Sequence, residues 1–319
     1  MTSLAAALAA RAGAEGYSLR IAAGCSDTAC TDRSGFPAAL AAAAGADIVI
    51  GAFGLCGEQE GEGHDRRNLT LPAGQEALLA ALAAAAAPAA QPVALVLVHG
   101  GPLALPPAVM AAGASATFPA ILTLQYPGQA GGLAGAALLL GDVSPSGRTT
   151  VTWYSEDFNA QRSVLDMQLQ PHGGVPGITY KWYGGQALFQ FGEGGSYTTF
   201  EYAWEGGSWV AVERGGGRQG AAPPAYAVNV TNTGLVVSDV SALAMVASGL
   251  PEEPIEELFA FDRAAAVRPG ETRTLRFSVG QWAAARGRRA GEYTVRIGDV
   301  RSSSGNWVQG RLSVGATGE

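Results

Sequence analysis

The stretch PAGQEALLAALAAAAAPAAQPVALVLV, residues 72–98, joins an alanine- and leucine-rich segment to six consecutive apolar residues. Pro72 stands where a helix would begin, a position at which its missing N–H removes no helical hydrogen bond. Residues 72–86 therefore predict a helix, and VALVLV at 93–98 predicts a strand buried on both faces. A helix that leads directly into such a strand is typical of a parallel sheet covered by helices.

The same alternation continues on both sides of this stretch. Further apolar, strand-like runs are SLRIAA at 18–23, ADIVIGAF at 46–53 and AILTLQ at 120–125. Helical patterns occupy the N-terminal segment 1–17, the alanine-rich 35–45 and GQAGGLAGAALLLG at 128–141. Together they predict an α/β domain with a mainly parallel sheet.

The second half of the chain has a different pattern. After VTWY at 151–154 the helical signal stops, and a connector containing Gly and Pro runs to about residue 185. Short strands bounded by turn residues are predicted at 225–234, 238–246, 271–279 and 291–299. They indicate an antiparallel β-sandwich of the immunoglobulin or fibronectin type. We therefore predict an α/β domain at 1–155, a connector at 156–198 and a β-sandwich at 199–319.

Charge and composition argue against two classes of partner. The net charge is −7, and the densest basic run is RGRR at 286–289, so binding to a nucleic-acid backbone is not expected. The longest apolar runs are alanine-dominated and interrupted, so no membrane span is expected. The N-terminus also lacks the basic and leucine-rich parts of a secretion signal.

The three cysteines are too few for a disulfide scaffold, and their spacing to histidine matches no zinc site. Cys25 and Cys30 could form a disulfide in an oxidising compartment, which would leave Cys56 unpaired, or they could stay reduced. Asn68 and Asn229 begin glycosylation sequons, a triplet that also occurs by chance.

Titratable residues concentrate in GLCGEQEGEGHDRRNL, residues 54–69, directly after a predicted strand. Ligands of open α/β sheets bind beyond the carboxyl ends of the strands, where HGGP at 99–102 and QYPGQAGG at 125–132 are also expected. If this loop is extended, its three alternating glutamates point the same way: Glu58, Glu60 and Glu62. Like charges at that spacing raise one another's pKa, which is what a proton donor requires.

Several alternatives remain open on the residues alone. A solvated acidic loop that caps the next helix accounts for the same spacing of glutamates. Arg66 or Arg67 could hold a carboxylate ionised or bind a substrate hydroxyl, and His64 could be a further acid/base group or simply exposed. His99 and His172 have no acidic neighbour in sequence.

The glycines of 100–101 and 128–132 could admit a ligand or pack helix on sheet. The aromatic residues of 153–154 and 181–183 could stack on sugars or pack the connector.

Taken in their order along the chain, several short motifs of this sequence resemble those of glycoside hydrolase family 3, in its plant and fungal β-xylosidase branch. The matching segments are GC…C at 24–30, E-x-E-G-x-D-R…L-x-L-P-x-x-Q at 60–75, GGP at 100–102, YPGQAGG at 126–132, GDVSPSGRTTVTWY at 141–154, PGITYKWYGG at 176–185, FGEGGSYTTF at 191–200 and NTG…SD at 232–239. They span nearly the whole chain, and it is the ordered series that makes the resemblance specific. Departures from the branch stand at Gln59, at Leu103-Ala104 and at Gly195.

The resemblance implies the α/β sandwich and fibronectin III-like domains of a retaining exo-β-glycosidase. Its (β/α)8 barrel, which would carry an aspartate nucleophile, is expected to be missing from this chain, together with the first strand of the α/β domain. Glu60 aligns with the acid/base glutamate, whereas Glu58, Glu62, Asp65 and Arg66 would support it or bind substrate.

This resemblance further implies β-linked sugars or xylo-oligosaccharides as ligands, no cofactor, and an extracellular or cell-wall location. The competing hypothesis is a carbohydrate-binding or interaction module without catalysis, or a degenerate fragment. Either way, we expect no independent activity, because a retaining mechanism needs two carboxylates about 5–5.5 Å apart.

Overall fold

The chain folds into two compact units. The computed structural model describes residues 1–110, 118–212, 224–284, 289–301 and 306–315. The first unit comprises Met1–Asp142 and Trp153–Ser163, and the second comprises Val143–Thr152 and Val164–Glu319. The domain boundaries drawn from the sequence stay a prediction, and most of the basic run 286–289 lies outside the described residues.

The first unit contains a parallel sheet of three strands, in which the second strand along the chain lies between the other two. Its strands are β1 (Val49–Gly54), β2 (Val93–Val98) and β3 (Ala120–Thr123). Its helices are α1 (Leu4–Glu15), α2 (Phe36–Ala43), α3 (Ala73–Ala86), α4 (Pro107–Met110), α5 (Gly131–Leu139) and α6 (Asp157–Gln161). Val93 and Leu95–Leu97 of the central strand are fully buried, as an apolar run in a parallel sheet requires. None of the described helices is long and apolar enough to cross a membrane.

The strand predicted at 18–23 is wrong, although the other three strands and the helices predicted in this half are confirmed. Residues 17–23 are irregular. Leu19 packs against the cluster of Ala7 and Leu8, but Ile21 is 61% exposed. A strand of a helix-covered parallel sheet is buried on both faces, and this segment has too few apolar residues to meet that condition.

Gln75 ties helix α3 to the carboxyl end of β1. Its side chain is only 4% exposed. Its Oε1 accepts from the N–H of Gly54 at 2.9 Å, and its Nε2 donates to the carbonyl oxygens of Gly54 at 2.7 Å and Thr28 at 2.5 Å. The neighbouring Gly74 must stay glycine, because a Cβ there would lie 1.9 Å from the carbonyl oxygen of Cys30. These contacts hold in place the point at which the 54–69 loop leaves the sheet.

We expect Gln75→Ala to lower the free energy of unfolding by about 2–4 kcal/mol, because it leaves the buried N–H of Gly54 without an acceptor. Urea denaturation of the full chain measures this loss. Gln91→Ala is the matched control, since the half-buried Gln91 also donates to two carbonyls, those of Ala43 and Ala46. A loss of about 1 kcal/mol is expected there. Equal losses in the two variants would show that the hydrogen bonds of Gln75 to β1 contribute no more to stability than those of Gln91.

The second unit contains two sheets. The strands are β4 (Phe200–Trp204), β5 (Trp209–Val212), β6 (Ala225–Asn232), β7 (Ser238–Ala247), β8 (Glu257–Val267), β9 (Thr272–Ser278), β10 (Gly291–Gly298) and β11 (Trp307–Val314). The five-stranded sheet has the order β5-β11-β10-β7-β8, and the three-stranded sheet has the order β4-β6-β9. Two short helices are α7 (Thr179–Trp182) and α8 (Gly280–Ala284).

Four of these strands were predicted, and β4, β5, β8 and β11 were not. The strand pairs are antiparallel, as expected, except that β5 pairs parallel to β11. Both sheets contribute to one hydrophobic core, to which β6 supplies Tyr226, Val228 and Val230 at period two. Whether this unit is of the fibronectin III type stays a prediction.

Candidate active site

The 54–69 loop leaves β1 through turns and is not extended. The N–H groups of Gln59 and Glu60 both donate to the carbonyl oxygen of Cys56, at 2.9 and 3.0 Å. Gly61 and His64 then pair through their backbones across a second turn. The local hydrogen bonds therefore break the period-two geometry on which the sequence argument depended.

As a result, the three glutamates do not share one face. Glu58 and Glu62 are exposed, whereas the side chain of Glu60 is turned inward and is 13% exposed. Asp65 and His64 are also exposed. Of the acidic residues singled out in this loop, the structure therefore places only Glu60 among converging polar groups.

The carboxylate of Glu60 accepts hydrogen bonds from two other loops at the same edge of the sheet. The loop after β2 supplies the N–H of Gly100 to Oε1 and the N–H of Gly101 to Oε2, the latter at 3.1 Å. The loop after β3 supplies the hydroxyl of Tyr126, 2.7 Å from Oε1. Within its own loop, Nε of Arg66 lies 3.3 Å from Oε2. The expectation that the three strand-end loops meet at one site is therefore met at Glu60.

Arg66 and the two glycines are packed closely around this carboxylate. Nη2 of Arg66 donates to the carbonyl oxygen of Pro102 at 2.7 Å. A Cβ on Gly101 would lie 2.7 Å from that Nη2, and one on Gly100 would lie 2.9 Å from the ring of Tyr126. Close packing thus accounts for the absence of side chains at both glycines. The Nη1 atom of Arg66 is buried and has no partner among the described residues.

The surroundings of Glu60 favour its ionised form. Burial raises its pKa, but the hydrogen bonds from Gly100, Tyr126 and Gly101, with the charge of Arg66, outweigh burial and leave the pKa below its usual value. The prediction that neighbouring carboxylates raise the pKa of Glu60 is wrong for this chain. Burial and the bond to Glu60 raise the pKa of Tyr126 to about 12, so its hydroxyl stays a donor.

His99 stabilises the hydrogen bonds around Glu60 from within the fold, a role that its neighbours in sequence did not indicate. The residue is 2% exposed, and its ring meets Trp153 edge-on at 5.0 Å. Its Nδ1 lies 2.7 Å from the carbonyl oxygen of Gly101, and its Nε2 lies 2.7 Å from Oγ1 of Thr123. Burial lowers the pKa of the imidazole, and a carbonyl can only accept, so the neutral ring donates from Nδ1 and accepts at Nε2. His99 thereby holds the 100–101 turn whose N–H groups bind Glu60.

The remaining residues singled out from the sequence lie outside this network. His172 is 3.2 Å from the carboxylate of Asp166. Asn68 is exposed in its loop, whereas the side-chain oxygen of Asn229, in β6, accepts from Thr274 at 2.8 Å. Both sequons stay predictions.

Sulfur and aromatic contacts lie elsewhere in the first unit. Cys25 and Cys30 are joined by a disulfide with their Cα atoms 4.9 Å apart, and Cys56 is a free thiol 3.1 Å from Oγ1 of Thr28. Trp153 is buried beside His99, and Tyr154 stacks on Phe158 at 4.1 Å. The structure therefore shows that these two aromatic residues pack within the fold.

Residues 1–197 match the family model described as the glycosyl hydrolase family 3 C-terminal domain. A probable β-D-xylosidase from Arabidopsis thaliana is 42% identical over 182 residues, which are 57% of this chain and 22% of that protein. A probable exo-1,4-β-xylosidase from Aspergillus terreus is 32% identical over 291 residues, 90% of this chain and 37% of the relative. The chain therefore spans well under half the length of these relatives.

Solved structures show the same likeness. A GH3 exo-β-xylosidase in complex with a xylobiose aziridine activity-based probe superposes with a TM-score of 0.85 at 27% identity, covering 99% of this chain and 42% of that one. A GH3 β-glucosidase from Bifidobacterium adolescentis gives a TM-score of 0.76 at 28% identity, covering 98% of this chain and 45% of that one. The likeness extends across the whole chain, including the part beyond residue 197.

Proposed function

Because the chain belongs to glycoside hydrolase family 3, we propose that it forms the C-terminal part of a retaining exo-β-glycosidase of the β-xylosidase type. Its substrates would be terminal β-xylosyl, and also α-arabinosyl, residues of hemicellulose, in an extracellular or cell-wall setting. The β-xylosidase names of the relatives support this choice of sugar. The observation that carries the catalytic part of the proposal is the carboxylate of Glu60, held by donors from three loops at one sheet edge.

In this proposal Glu60 is the general acid and base, and the nucleophile is a carboxylate of a (β/α)8 barrel domain outside this chain. The nucleophile attacks the anomeric carbon while the bond to the leaving oxygen breaks, and Glu60 gives its proton to that oxygen. Water then attacks the anomeric carbon of the glycosyl-enzyme, the bond to the nucleophile breaks, and Glu60 takes a proton from the water. The two successive inversions release the sugar with its original configuration.

The low pKa of Glu60 fits the second half of this cycle, and the nucleophile accounts for the first half. An ionised nucleophile about 5–5.5 Å away would repel the charge on Glu60 and raise its pKa, so that it carries a proton. Forming the glycosyl-enzyme removes that charge. The donors Gly100, Tyr126 and Arg66 then return Glu60 to its ionised form, in which it acts as base.

Arg66 and Tyr126 hold Glu60 in position in this mechanism. We also propose that the second unit, with its two sheets and common core, is the fibronectin III-like domain of the family.

A segment exchange tests the proposal. This chain replaces the matching segment of the Aspergillus terreus relative, and release of nitrophenol is measured from aryl β-xyloside and aryl β-glucoside. We expect the chimaera to hydrolyse the xyloside, at least about tenfold faster than the glucoside. The parent relative is the control for the assay. Reading the gene upstream of Met1 tests independently whether a barrel with an aspartate nucleophile precedes this chain.

A folded but inactive chimaera would favour the second candidate, a module that binds carbohydrate without catalysis. Circular dichroism and gel filtration establish the folding. Calorimetric titration of that chimaera with xylo-oligosaccharides then separates a binding module, which gives heat, from a degenerate fragment, which gives none.

A further inference from the structure

The two N–H groups that bind the Glu60 carboxylate belong to a glycine pair, at 100–101. Glycine adopts more backbone conformations than any other residue, so such a pair keeps two N–H groups on one carboxylate only where neighbouring groups restrain it. Nδ1 of His99 provides a restraint, because it donates to the carbonyl oxygen of Gly101 at 2.7 Å. His99 therefore acts on Glu60 through the backbone that supplies its donors.

Thr123, in β3, determines how the ring of His99 can bond. Its Oγ1 lies 2.7 Å from Nε2 of His99. A neutral imidazole carries one N–H, and the carbonyl of Gly101 requires that N–H at Nδ1, so Nε2 is left as an acceptor for the hydroxyl of Thr123. Thr123 thus fixes the tautomer in which His99 donates to the turn.

The fold holds this imidazole in one orientation. His99 is buried, and the indole of Trp153 meets it edge-on at 5.0 Å. Burial lowers the pKa of His99 and so favours the neutral ring. Both ring nitrogens are hydrogen-bonded, so the ring cannot rotate without losing two bonds. A side chain that positions another residue requires this kind of restraint.

Other charged and titratable groups face the same carboxylate. Arg66 lies on its own loop and Tyr126 on the loop after β3, and Cys56 lies within electrostatic reach of the Tyr126 hydroxyl. Arg66 brings a charge to Glu60 and Tyr126 brings a hydrogen bond, so a change at either alters the carboxylate directly. The histidine and its partner threonine, by contrast, can be changed while every side chain that contacts the carboxylate stays in place.

We propose that His99 and Thr123 are positioning residues that keep the two glycine N–H groups on Glu60 and thereby set the pH at which Glu60 gains its proton. These N–H groups stabilise the ionised carboxylate, so releasing the turn raises the pKa of Glu60 and moves its titration to higher pH. In the catalytic cycle, a higher pKa widens the pH range of the acid step and narrows that of the base step. This last consequence rests on the proposed function, whereas the effect on the titration does not.

The titration of Glu60 in the full chain tests the proposal without any substrate. Nuclear magnetic resonance follows the chain labelled at the carboxyl carbon of its glutamate side chains, and the Glu60 signal is the one missing from Glu60→Gln. In His99→Leu, which cannot donate to the turn, we expect the midpoint at higher pH than in the unaltered chain. His99→Asn returns a donor near the position of Nδ1 and is expected to reverse most of that shift.

Thr123→Val is the milder variant, because it removes the hydroxyl and nearly keeps the shape of the side chain. The midpoint is expected to move in the same direction as in His99→Leu, but less, and Thr123→Ser is expected to leave it in place. Thr198→Val is the matched control in the second unit, where it removes a hydroxyl that donates to Asn232 at 2.6 Å. It is expected to leave the midpoint of Glu60 unchanged.

The pH profile of the active chimaera carries the inference to catalysis. His99→Leu is expected to lower kcat/KM for xylobiose by up to about a hundredfold, the effect of displacing a reacting group by about 1 Å. The alkaline limb of that profile, where Glu60 loses its proton, should move to higher pH. A fall in activity with an unmoved limb would overturn the positioning role. An inactive chimaera would count against the proposed function, yet the titration of Glu60 would still test this inference.

Three titration results would also overturn the proposal. The first is an unaltered midpoint for Glu60 in His99→Leu, once circular dichroism has shown that the variant is folded. The second is a shift in His99→Leu that His99→Asn does not reverse, which would make the histidine a packing residue. The third is the same shift in Thr198→Val as in Thr123→Val, which would reflect a general loosening of the chain. If His99→Leu does not fold, equal midpoints in Thr123→Val and Thr123→Ser overturn the proposal.

Discussion

Glu60→Gln is expected to lower kcat/KM for xylobiose by about 10²- to 10⁴-fold in the active chimaera, the range for losing a general acid and base. Glutamine has nearly the shape of glutamate and keeps one oxygen acceptor for the Gly100 and Tyr126 donors. Its amide has no acidic proton to give to the leaving oxygen and is too weak a base to take one from water. The loss should therefore fall on chemistry and leave the fold intact.

The leaving group separates this role from a merely structural one. A nitrophenolate departs with little help from an acid, whereas the sugar alkoxide of xylobiose needs protonation as it leaves. Glu60→Gln should consequently reduce the first step far less for aryl β-xyloside than for xylobiose. A variant that only disturbs the loop would slow both substrates by the same factor.

Glu62→Gln is the matched control, because Glu62 lies two residues on in the same loop and is exposed. Less than about a tenfold change is expected for it, since it lies outside the hydrogen bonds that hold the Glu60 carboxylate. The opposite pattern, with activity lost in Glu62→Gln and kept in Glu60→Gln, would make Glu62 the proton donor and Glu60 a residue that positions the loop.

Glu256→Ala should give the largest loss of stability, about 3–5 kcal/mol in the free energy of unfolding. The side chain of Glu256 is 6% exposed and accepts from Nη2 of Arg296 and, at 2.5 Å, from Nη2 of Arg301. Arg301 is itself largely buried, with 15% of its side chain exposed. Removing the carboxylate leaves two arginine charges in a poorly hydrated setting without their counter-ion, and this uncompensated charge is what destabilises the fold.

Glu252→Ala is the control for this comparison. Glu252 also pairs with an arginine, Arg289 at 2.5 Å, but both side chains are 54% exposed. Water and salt screen such a pair, so little or no change in stability is expected. Thermal and urea denaturation of both variants check the contrast. Similar losses of stability in the two variants would mean that burial does not determine how much each ion pair contributes to the free energy of unfolding.

Much of the fold could be predicted because its elements have strong local patterns. The apolar run 93–98 is β2 residue for residue, and the alanine-rich 72–86 is α3 with one residue trimmed. Burial of a continuous strand or of one helix face is a property of neighbouring residues, and it is therefore visible in a short stretch of sequence. The prediction of a strand at 18–23 is wrong because Leu19 and Ile21 alternate with polar residues as in a strand, whereas the burial of a strand depends on contacts that the sequence does not show.

The candidate site was only partly predictable. The motif placed Glu60 and Arg66 in one loop, but Tyr126 lies 66 positions away and the Gly100 N–H lies 40 positions away. His99 looked unremarkable in sequence because its partners, the Gly101 carbonyl and the Thr123 hydroxyl, reach it through the backbone turn and the neighbouring strand. No local pattern marks residues whose role is to hold another residue.

Sequence by itself determined the parallel sheet, the strand-rich second half, the family and the loop that carries the acidic residues. Tertiary structure alone decided which glutamate faces inward, that the pKa of Glu60 falls instead of rising, and that His99 holds the turn whose N–H groups bind Glu60. The physical reason is that the two groups of properties depend on different sets of neighbours. Hydrophobic patterns arise from neighbours along the chain, whereas a pKa or a hydrogen-bond network depends on distances of a few ångströms between atoms that only folding brings together.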